Sequence, residues 1–275
     1  MGIAVEQKTE WDIDVIDVDR YLDRIGHARP EQPSTAALKS LHAAHVRAIP
    51  FENVDVVLGR HRGIALPVVF DKLVGRKRGG YCYEHATLFA AVLERLGYRV
   101  RRSYARVQPD HPGPNTHMLL VVEAEGAQHL VDVGFGAEIM HPMPLVHGAE
   151  VDQAGWLHRV VREDDLWTLQ KRVDGGWERL HSTDTRAARP IDYEVFHHYT
   201  STHPRSPFTG RLVVMRLAEG VSRKLIGRQL LVEHADGRVE QRPVGVDELD
   251  EVLRGLDVEL DEEESALLRQ FHAAG

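Results

Sequence analysis

The most informative stretch of the chain for the fold is Arg78-Gly79-Gly80-Tyr81-Cys82-Tyr83-Glu84-His85. Its two glycines permit a close backbone approach, and the apolar pattern that follows predicts a helix over residues 82–96, ended by Gly97. Cys82 would then begin a helix, where free N–H groups and the helix dipole stabilise a thiolate. A thiolate is the nucleophile that acyl transfer needs. Taken alone, the stretch fits a loop before a buried structural cysteine equally well.

The cysteine content limits which covalent links and metal sites the chain can contain. Cys82 is the one cysteine among 275 residues, so no disulfide can form within the chain. A zinc site rich in cysteine is excluded for the same reason.

Bulk composition is that of an ordinary globular protein, with 43% hydrophobic and 28% charged residues. With a net charge of −8, the chain has no excess of basic residues that would favour binding to nucleic acid or an anionic membrane. No apolar run approaches the roughly 20 residues that span a bilayer. Residues 1–6 lack a charged segment followed by an apolar one, so we expect no secretion signal and a cytoplasmic location.

Two further segments carry groups that could act with Cys82. His117 opens a strongly apolar stretch, residues 117–121, and could serve as the base that deprotonates the thiol. Asp132 stands between two valines in a segment that reads as a buried strand, where a carboxylate is costly unless it is paired. The two residues are one short hairpin apart, so neighbouring antiparallel strands could place them on one face. This coupling favours a Cys-His-Asp triad over separate structural roles.

The layout along the chain is a helical start, a β-rich middle and a mixed end. Asp17 and Ser34 or Thr35 are predicted to cap the first two helices, and Pro67 fits the first turn of the third. Predicted helices cover residues 18–25, about 35–49, 67–75, 82–96, 246–256 and 261–271. Predicted strands cover residues 99–107, 117–123, 129–133, 156–162, 166–172, 211–216 and 229–233.

Several motifs occur here in the order found in one enzyme family. They are Ile49-Pro50-Phe51-Glu52-Asn53-Val54-Asp55, residues 78–85, Thr116-His117, Val131-Asp132-Val133-Gly134-Phe135-Gly136 and residues 201–208, STHPRSPF. In this combination the chain resembles the arylamine N-acetyltransferases, from about Tyr21 to Phe208. Each motif is weak alone, whereas the ordered set is specific.

The resemblance implies an α+β fold in three parts. Residues 1–97 would form an N-terminal helical bundle that carries the nucleophile, and residues 98–205 a β-barrel-like domain that carries the histidine and the aspartate. Residues 206–275 would form an α/β lid. The triad is similar to that of papain-like and transglutaminase-like enzymes.

The resemblance also implies the chemistry. Acetyl-CoA, as acyl donor, would acetylate the cysteine, and an arylamine, arylhydrazine or arylhydroxylamine would then take the acetyl group in a ping-pong scheme. Cys82 matches the family nucleophile, His117 the base and Asp132 the orienting carboxylate. Backbone N–H groups near Cys82 and Phe135 are candidates for stabilising the oxyanion.

By motif position, five residues match those that line the acceptor pocket: Phe51, Val107, Thr116, Phe135 and Phe208. Gly134 and Gly136 match a segment beside the CoA cleft, where backbone N–H groups could meet phosphate or the thioester. The chain departs from the family pattern at Ala86, where the motif has Asn four residues after the cysteine. This puts the hydrogen bonding around the nucleophile in doubt, although not the nucleophile.

Other functions stay open at this point. An amide synthase of ansamycin biosynthesis has the same triad but receives its acyl group from a carrier protein. A cysteine protease or transglutaminase lacks the family-specific motifs. The 17 histidines raise a metal-binding protein as an alternative, but no HExxH spacing occurs, so no metal is expected. His197-His198 is expected to face solvent or cap a turn. Neither nucleic acid nor membrane is expected as a partner, and a homo-oligomer is left open.

Overall fold

The computed structural model describes residues 10–136 and 138–274. Residues 1–6, for which no secretion signal is predicted, lie outside these ranges. Among the described residues, no helix is both long and apolar enough to cross a membrane.

Helices dominate the N-terminal part, and their ends follow from local sequence. Helix α1 (Val18–Ile25) begins where the Asp17 carboxylate accepts hydrogen bonds from two backbone N–H groups, and it ends at Gly26 in the left-handed conformation. Helix α2 (Thr35–Ala48) is capped by the Ser34 hydroxyl. These caps and the helix bounds agree with the sequence prediction.

Three more helices lead to the site and form its base. Helices α3 (Val54–Val57) and α4 (Leu66–Phe70) are short, and α4 continues into a π-helical turn over Asp71–Gly75. Helix α5 (Cys82–Arg95) is buried along residues 82–93, on all sides, because it lies between the other helices and the large sheet. A helix buried on all sides belongs to a core, and α5 is the central element of this one.

The large sheet has eight strands in the order β5-β4-β3-β2-β9-β8-β7-β6, and every pairing is antiparallel. Its strands are β2 (Arg99–Val107), β3 (Asn115–Ala124), β4 (Ala127–Val131), β5 (Met143–Pro144), β6 (Ala149–Asp152), β7 (Leu157–Glu163), β8 (Leu166–Val173) and β9 (Gly176–Thr183). The end strands β5 and β6 contact each other, so the sheet nearly closes into a barrel.

A second antiparallel sheet of five strands has the order β1-β10-β11-β12-β13. Its strands are β1 (Phe51–Glu52), β10 (Val213–Ala218), β11 (Val221–Ile226), β12 (Gln229–His234) and β13 (Val239–Pro243). Phe51 pairs with Met215, so a strand from the N-terminal part belongs to the C-terminal sheet. Helix α6 (Pro190–Thr202) precedes this sheet, and α7 (Leu249–Arg254) and α8 (Glu262–Ala274) follow it.

The α+β class predicted from sequence is confirmed, and the division at residues 97 and 205 stays a prediction. Three local predictions were wrong or incomplete. Strand β4 ends at Val131, so Asp132 lies just beyond the strand and not within it. No range was predicted for strands β1, β5, β6, β9, β11 and β13 or for helices α3 and α6. His197 lies inside α6, is half-buried and contacts Tyr81, so it does not cap a turn, whereas His198 is exposed as predicted.

Candidate active site

Cys82 is the first residue of α5 and is 5% exposed. The loop before it passes so close to α2 and β1 that a β-carbon on Gly79 would come within 2.2 Å of the Pro50 carbonyl oxygen. Only glycine fits there. The Glu84 carboxylate accepts a hydrogen bond from the Tyr81 backbone N–H at 3.1 Å and so fixes the start of the helix. The thiol is thereby held at a helix N-terminus, as the sequence predicts.

His117 and Asp132 are hydrogen-bonded side chain to side chain. The Nε2 atom of His117 lies 2.7 Å from Asp132 Oδ2, and both residues are buried. Because a carboxylate only accepts, the proton sits on Nε2 and the other ring nitrogen, Nδ1, is left for Cys82. Cys82 is close enough to this imidazole to help raise its pKa. His117 and Asp132 are therefore paired, and Cys82 lies near the imidazole of that pair.

The electrostatics of this group favour charged forms. Burial alone would lower the pKa of His117, but the Asp132 charge and hydrogen bond outweigh burial and, with a contribution from Cys82, raise that pKa to about 10. Burial would raise the pKa of Asp132, yet the facing imidazole holds it well below its usual value. An ionised aspartate beside a protonated histidine is the stable arrangement.

A second imidazole, which the sequence did not reveal, contacts the same carboxylate. His181, on β9, lies with its Nε2 atom 3.1 Å from Asp132 Oδ2 and is fully buried. The side chains of His117, Asp132 and His181 have the donor types of a metal site, with ligand atoms all within 4.8 Å of one another. His117 hydrogen-bonds to the carboxylate, whereas His181 Nε2 lies 3.1 Å from the same oxygen without an aligned hydrogen bond.

A third imidazole holds the main chain of Asp132. His42, on α2, donates from Nδ1 to the Met140 carbonyl oxygen at 2.9 Å, so its Nε2 is an acceptor. That atom lies 3.3 Å from the Asp132 backbone nitrogen, which donates to it. Burial lowers the pKa of His42 to about 4, so it stays neutral in this role.

Beneath Cys82 runs a chain of hydrogen bonds from Tyr21 through two histidines to the nucleophile loop. His85 Nε2 faces the carbonyl oxygens of Gly80 and Pro50 at 3.0 and 3.2 Å and must therefore donate. Its Nδ1 then accepts from His45 Nε2 at 2.8 Å, and His45 Nδ1 accepts from the Tyr21 hydroxyl at 2.7 Å. Both rings are buried and neutral, because burial lowers their pKa values. The chain fastens the glycine loop to the helical part.

A buried ionic cluster lies on the other side of α5. Lys72 Nζ is 2.9 Å from Glu84 and 3.0 Å from Asp55, and Arg78 is 3.1 Å from Glu52. These side chains are nearly inaccessible to solvent, so each charge depends on its partners. Arg78 also lies 2.8 Å from Glu264. The cluster thus ties the nucleophile loop to helix α8.

The five residues predicted to line an acceptor pocket lie in two groups. The Phe51 and Phe208 rings are 6.0 Å apart, and Phe208 is also 5.8 Å from the ring of Tyr81, next to Cys82. The Phe135 ring is 4.9 Å from that of His117. Thr116, beside His117, is half-buried, whereas Val107 is 40% exposed and pairs with His181 in the sheet.

The two glycines predicted to lie beside CoA are in tight contacts. A β-carbon on Gly134 would come within 2.9 Å of Cys82 Cα. Gly136 has a positive φ of 76°, and a β-carbon there would come within 2.8 Å of Met215 Sδ. A cavity of about 30 Å³ lies beside Gly136, between Phe51 and Met215. Ala86, the departure from the family motif, is buried in the main apolar core.

Comparisons with known proteins agree on one family. A family model described as N-acetyltransferase matches residues 34–264. The arylamine N-acetyltransferase of Mycolicibacterium smegmatis is 40% identical over 234 residues, which are 82% of this chain and 85% of the relative.

Solved structures give the same result. The arylamine N-acetyltransferase from Mycobacterium abscessus has a TM-score of 0.91 and 34% identity, over 96% of this chain and 97% of that one. The Mycobacterium marinum enzyme in complex with CoA has a TM-score of 0.84 and 34% identity, over 93% and 99% of the two chains.

Proposed function

The chain belongs to the arylamine N-acetyltransferase family, and from this premise we propose that Cys82, His117 and Asp132 are its catalytic triad. The family membership makes the protein an acetyltransferase that uses acetyl-CoA. The observation that supports these residues is the 2.7 Å hydrogen bond between His117 and Asp132, with Cys82 close enough to the same imidazole to help raise its pKa.

In the first half-reaction the Cys82 thiolate attacks the acetyl carbonyl carbon of acetyl-CoA. The developing oxyanion is stabilised by backbone N–H groups at the start of α5 and near Phe135. As the C–S bond to CoA breaks, His117 gives its proton to the departing sulfur. The product is an acetyl thioester on Cys82 and a neutral His117.

In the second half-reaction an amine attacks the thioester. Its nitrogen forms a bond to the acetyl carbon and loses a proton to His117, and the Cys82–carbon bond breaks to restore the thiolate. Asp132 holds the imidazole in position and stabilises it in the charged form at each stage. Arylamines, arylhydrazines and arylhydroxylamines are acceptors of this kind, because their nitrogen is largely unprotonated near neutral pH.

We place the acceptor between the two aromatic groups that flank the triad. Phe208 and Phe51 lie near Tyr81, and Phe135 lies against His117, so an aromatic ring between them would contact apolar faces. Thr116 and Val107 border the same end of the large sheet. The CoA thioester would approach beside Gly134 and Gly136, as their match to the family segment implies; Gly134 lies against Cys82 and Gly136 against Met215.

For the rest of the molecule we propose the organisation that the sequence predicts. The chain would divide after residues 97 and 205 into a helical part, a barrel-like part and a lid. A cytoplasmic location is retained as well.

The test is mass spectrometry of the intact protein after mixing with acetyl-CoA in the absence of an amine. The wild-type protein should gain one acetyl group, mapped by proteolysis to Cys82, and Cys82→Ser should gain none at that position. Adduct formation by Cys82→Ser, or its absence from the wild-type protein, would refute the assignment. Absence with acetyl-CoA together with acylation from a carrier protein would instead indicate an amide synthase.

A further inference from the structure

Asp132 has two imidazoles on one oxygen atom. His117 Nε2 lies 2.7 Å and His181 Nε2 3.1 Å from Oδ2. The second contact is within hydrogen-bonding distance, although His181 is not aligned for a linear hydrogen bond. The other oxygen, Oδ1, is buried and has no hydrogen-bond partner among the described residues.

Among the described residues, the surroundings of His181 are mostly apolar, and its nearest charged neighbour is the Asp132 carboxylate. His181 is 0% exposed, lies on β9 between Val107 of β2 and Leu169 of β8, and packs edge-on against Phe135 with ring centroids 4.9 Å apart. The charged and titratable groups acting on it are Asp132 and His117. A buried imidazole in an apolar setting is costly unless a partner satisfies it.

The protonation of His181 follows from this setting. Burial lowers the pKa of His181, which outweighs the opposing influence of Asp132, so the ring is neutral near pH 7. A neutral imidazole carries one N–H, and only the tautomer with the proton on Nε2 presents a donor to the ionised carboxylate. With the proton on Nδ1, two lone pairs would face each other at 3.1 Å.

We propose that His181 is a positioning residue, which shares the Asp132 carboxylate with His117 and thereby fixes the carboxylate in the orientation that keeps His117 protonated. The inference rests on the proposed roles of Cys82, His117 and Asp132. His42 holds the backbone N–H of Asp132 but leaves the carboxylate free to turn about its Cβ–Cγ bond. His181, which reaches the carboxylate from β9, restricts that rotation.

The close contact of His181 Nε2 with Asp132 Oδ2 has a consequence that packing alone would not produce. Without His181, the buried carboxylate keeps one donor and can turn toward any water that enters. His117 is then less well stabilised as an imidazolium, and it loses its proton at lower pH. The acylation rate should therefore decline earlier on the alkaline side of its pH profile.

The experiment compares His181→Phe, which keeps the ring packing but has no N–H, with His181→Gln, which restores a donor. The rate of Cys82 acetylation by acetyl-CoA is measured in single turnovers between about pH 6 and pH 10. In His181→Phe the alkaline limb of the acetylation pH profile should move to lower pH by about one unit. In steady-state assays with an arylamine, kcat should fall about tenfold with little change in KM for the amine. His181→Gln should recover most of both.

His158→Phe serves as the matched control, because His158 is a fully buried imidazole of the same sheet, with Nδ1 2.9 Å from the Trp156 carbonyl oxygen. It should lower thermal stability and leave the pH profile in place. A His181→Phe profile that coincides with that of the wild type, or a His181→Gln profile no closer to the wild type than that of His181→Phe, would overturn the inference. If the wild-type protein forms no acetyl adduct, the proposed function fails instead.

Discussion

Gly134 lies directly against the backbone of Cys82: a β-carbon at Gly134 would be 2.9 Å from Cys82 Cα and 3.1 Å from its carbonyl oxygen. Asp132 is two residues before this glycine and Phe135 one residue after it. The loop that follows β4 therefore approaches the nucleophile by its main chain, and its path sets the position of the carboxylate.

Gly134→Ala should displace that loop. All three close contacts of the new β-carbon are with atoms that cannot swing away: Cα and the carbonyl oxygen of Cys82, and the β-carbon of His85 at 3.0 Å. We expect a loss of about 1–3 kcal/mol in the free energy of unfolding and an acylation rate lower by about tenfold or more. Urea titration and single-turnover acylation measure the two effects. Gly113→Ala is the control, because a β-carbon there meets nothing within 4 Å.

Asp132→Asn should remove the negative charge that keeps His117 protonated. With a neutral amide, burial dominates, and the pKa of His117 should fall from about 10 to below its ordinary value. The amide can also present its NH₂ group and favour the wrong tautomer. Acylation at pH 7 should be slower by about 10³–10⁴-fold. Rates within tenfold of the wild type would exclude the proposed role of Asp132.

Stability should fall as the pH drops from 6.5 toward 4, before most carboxylates are protonated. The pKa values of His42 and His85 are lowered from 6.5 to about 4, so in this window the unfolded chain binds protons that the folded chain does not. Their contribution is present above pH 6.5 and is lost as the pH falls through about 4, on the order of 3 kcal/mol for each imidazole. Urea unfolding at a series of pH values measures it.

His85→Gln tests the source of this pH dependence. The amide can donate to the Gly80 carbonyl oxygen and does not titrate, so the slope of stability against pH between 6.5 and 4 should become shallower. An unchanged slope would show that other groups cause the loss.

The sequence predicted most of the helical part because its helix ends have local causes. Asp17 and Ser34 cap their helices through their own side chains, and Pro67 lies in the first turn of α4. Helix α6 was missed, although Pro190 begins it and Asp192 accepts a hydrogen bond from the Arg189 N–H at 2.8 Å. A proline at the first helical position and an aspartate two residues later were the local sequence signals for this helix start.

The missed strands and the second imidazole have a different cause. Strand β13 is exposed along its length, so it has no apolar alternation to detect. Asp132 was assigned to a strand because apolar residues continue past it, whereas the ladder with β3 ends at Val131. His181 is one of 17 histidines, and its role depends on strand pairing across the barrel, which no local pattern encodes.

Lys72→Met should be far more costly than the loss of a surface ion pair. It leaves Glu84 and Asp55, at 2.9 and 3.0 Å, without their shared cation in a buried setting. We expect about 3–5 kcal/mol of destabilisation in urea unfolding. Arg29→Gln, which breaks the exposed pair with Asp19, is the control and should cost at most about 1 kcal/mol. Equal costs would mean that the buried cluster contributes nothing specific.

The most direct test of the central claim, that the acetyl group passes through Cys82, uses the isolated acetyl-enzyme. Protein acetylated by acetyl-CoA is freed of CoA by rapid gel filtration and then mixed with an arylamine. The account predicts that the acetyl adduct on Cys82 disappears as one equivalent of N-acetylated amine forms, with no CoA present. It would be contradicted if the adduct persisted while the same protein still acetylated the amine when acetyl-CoA was added.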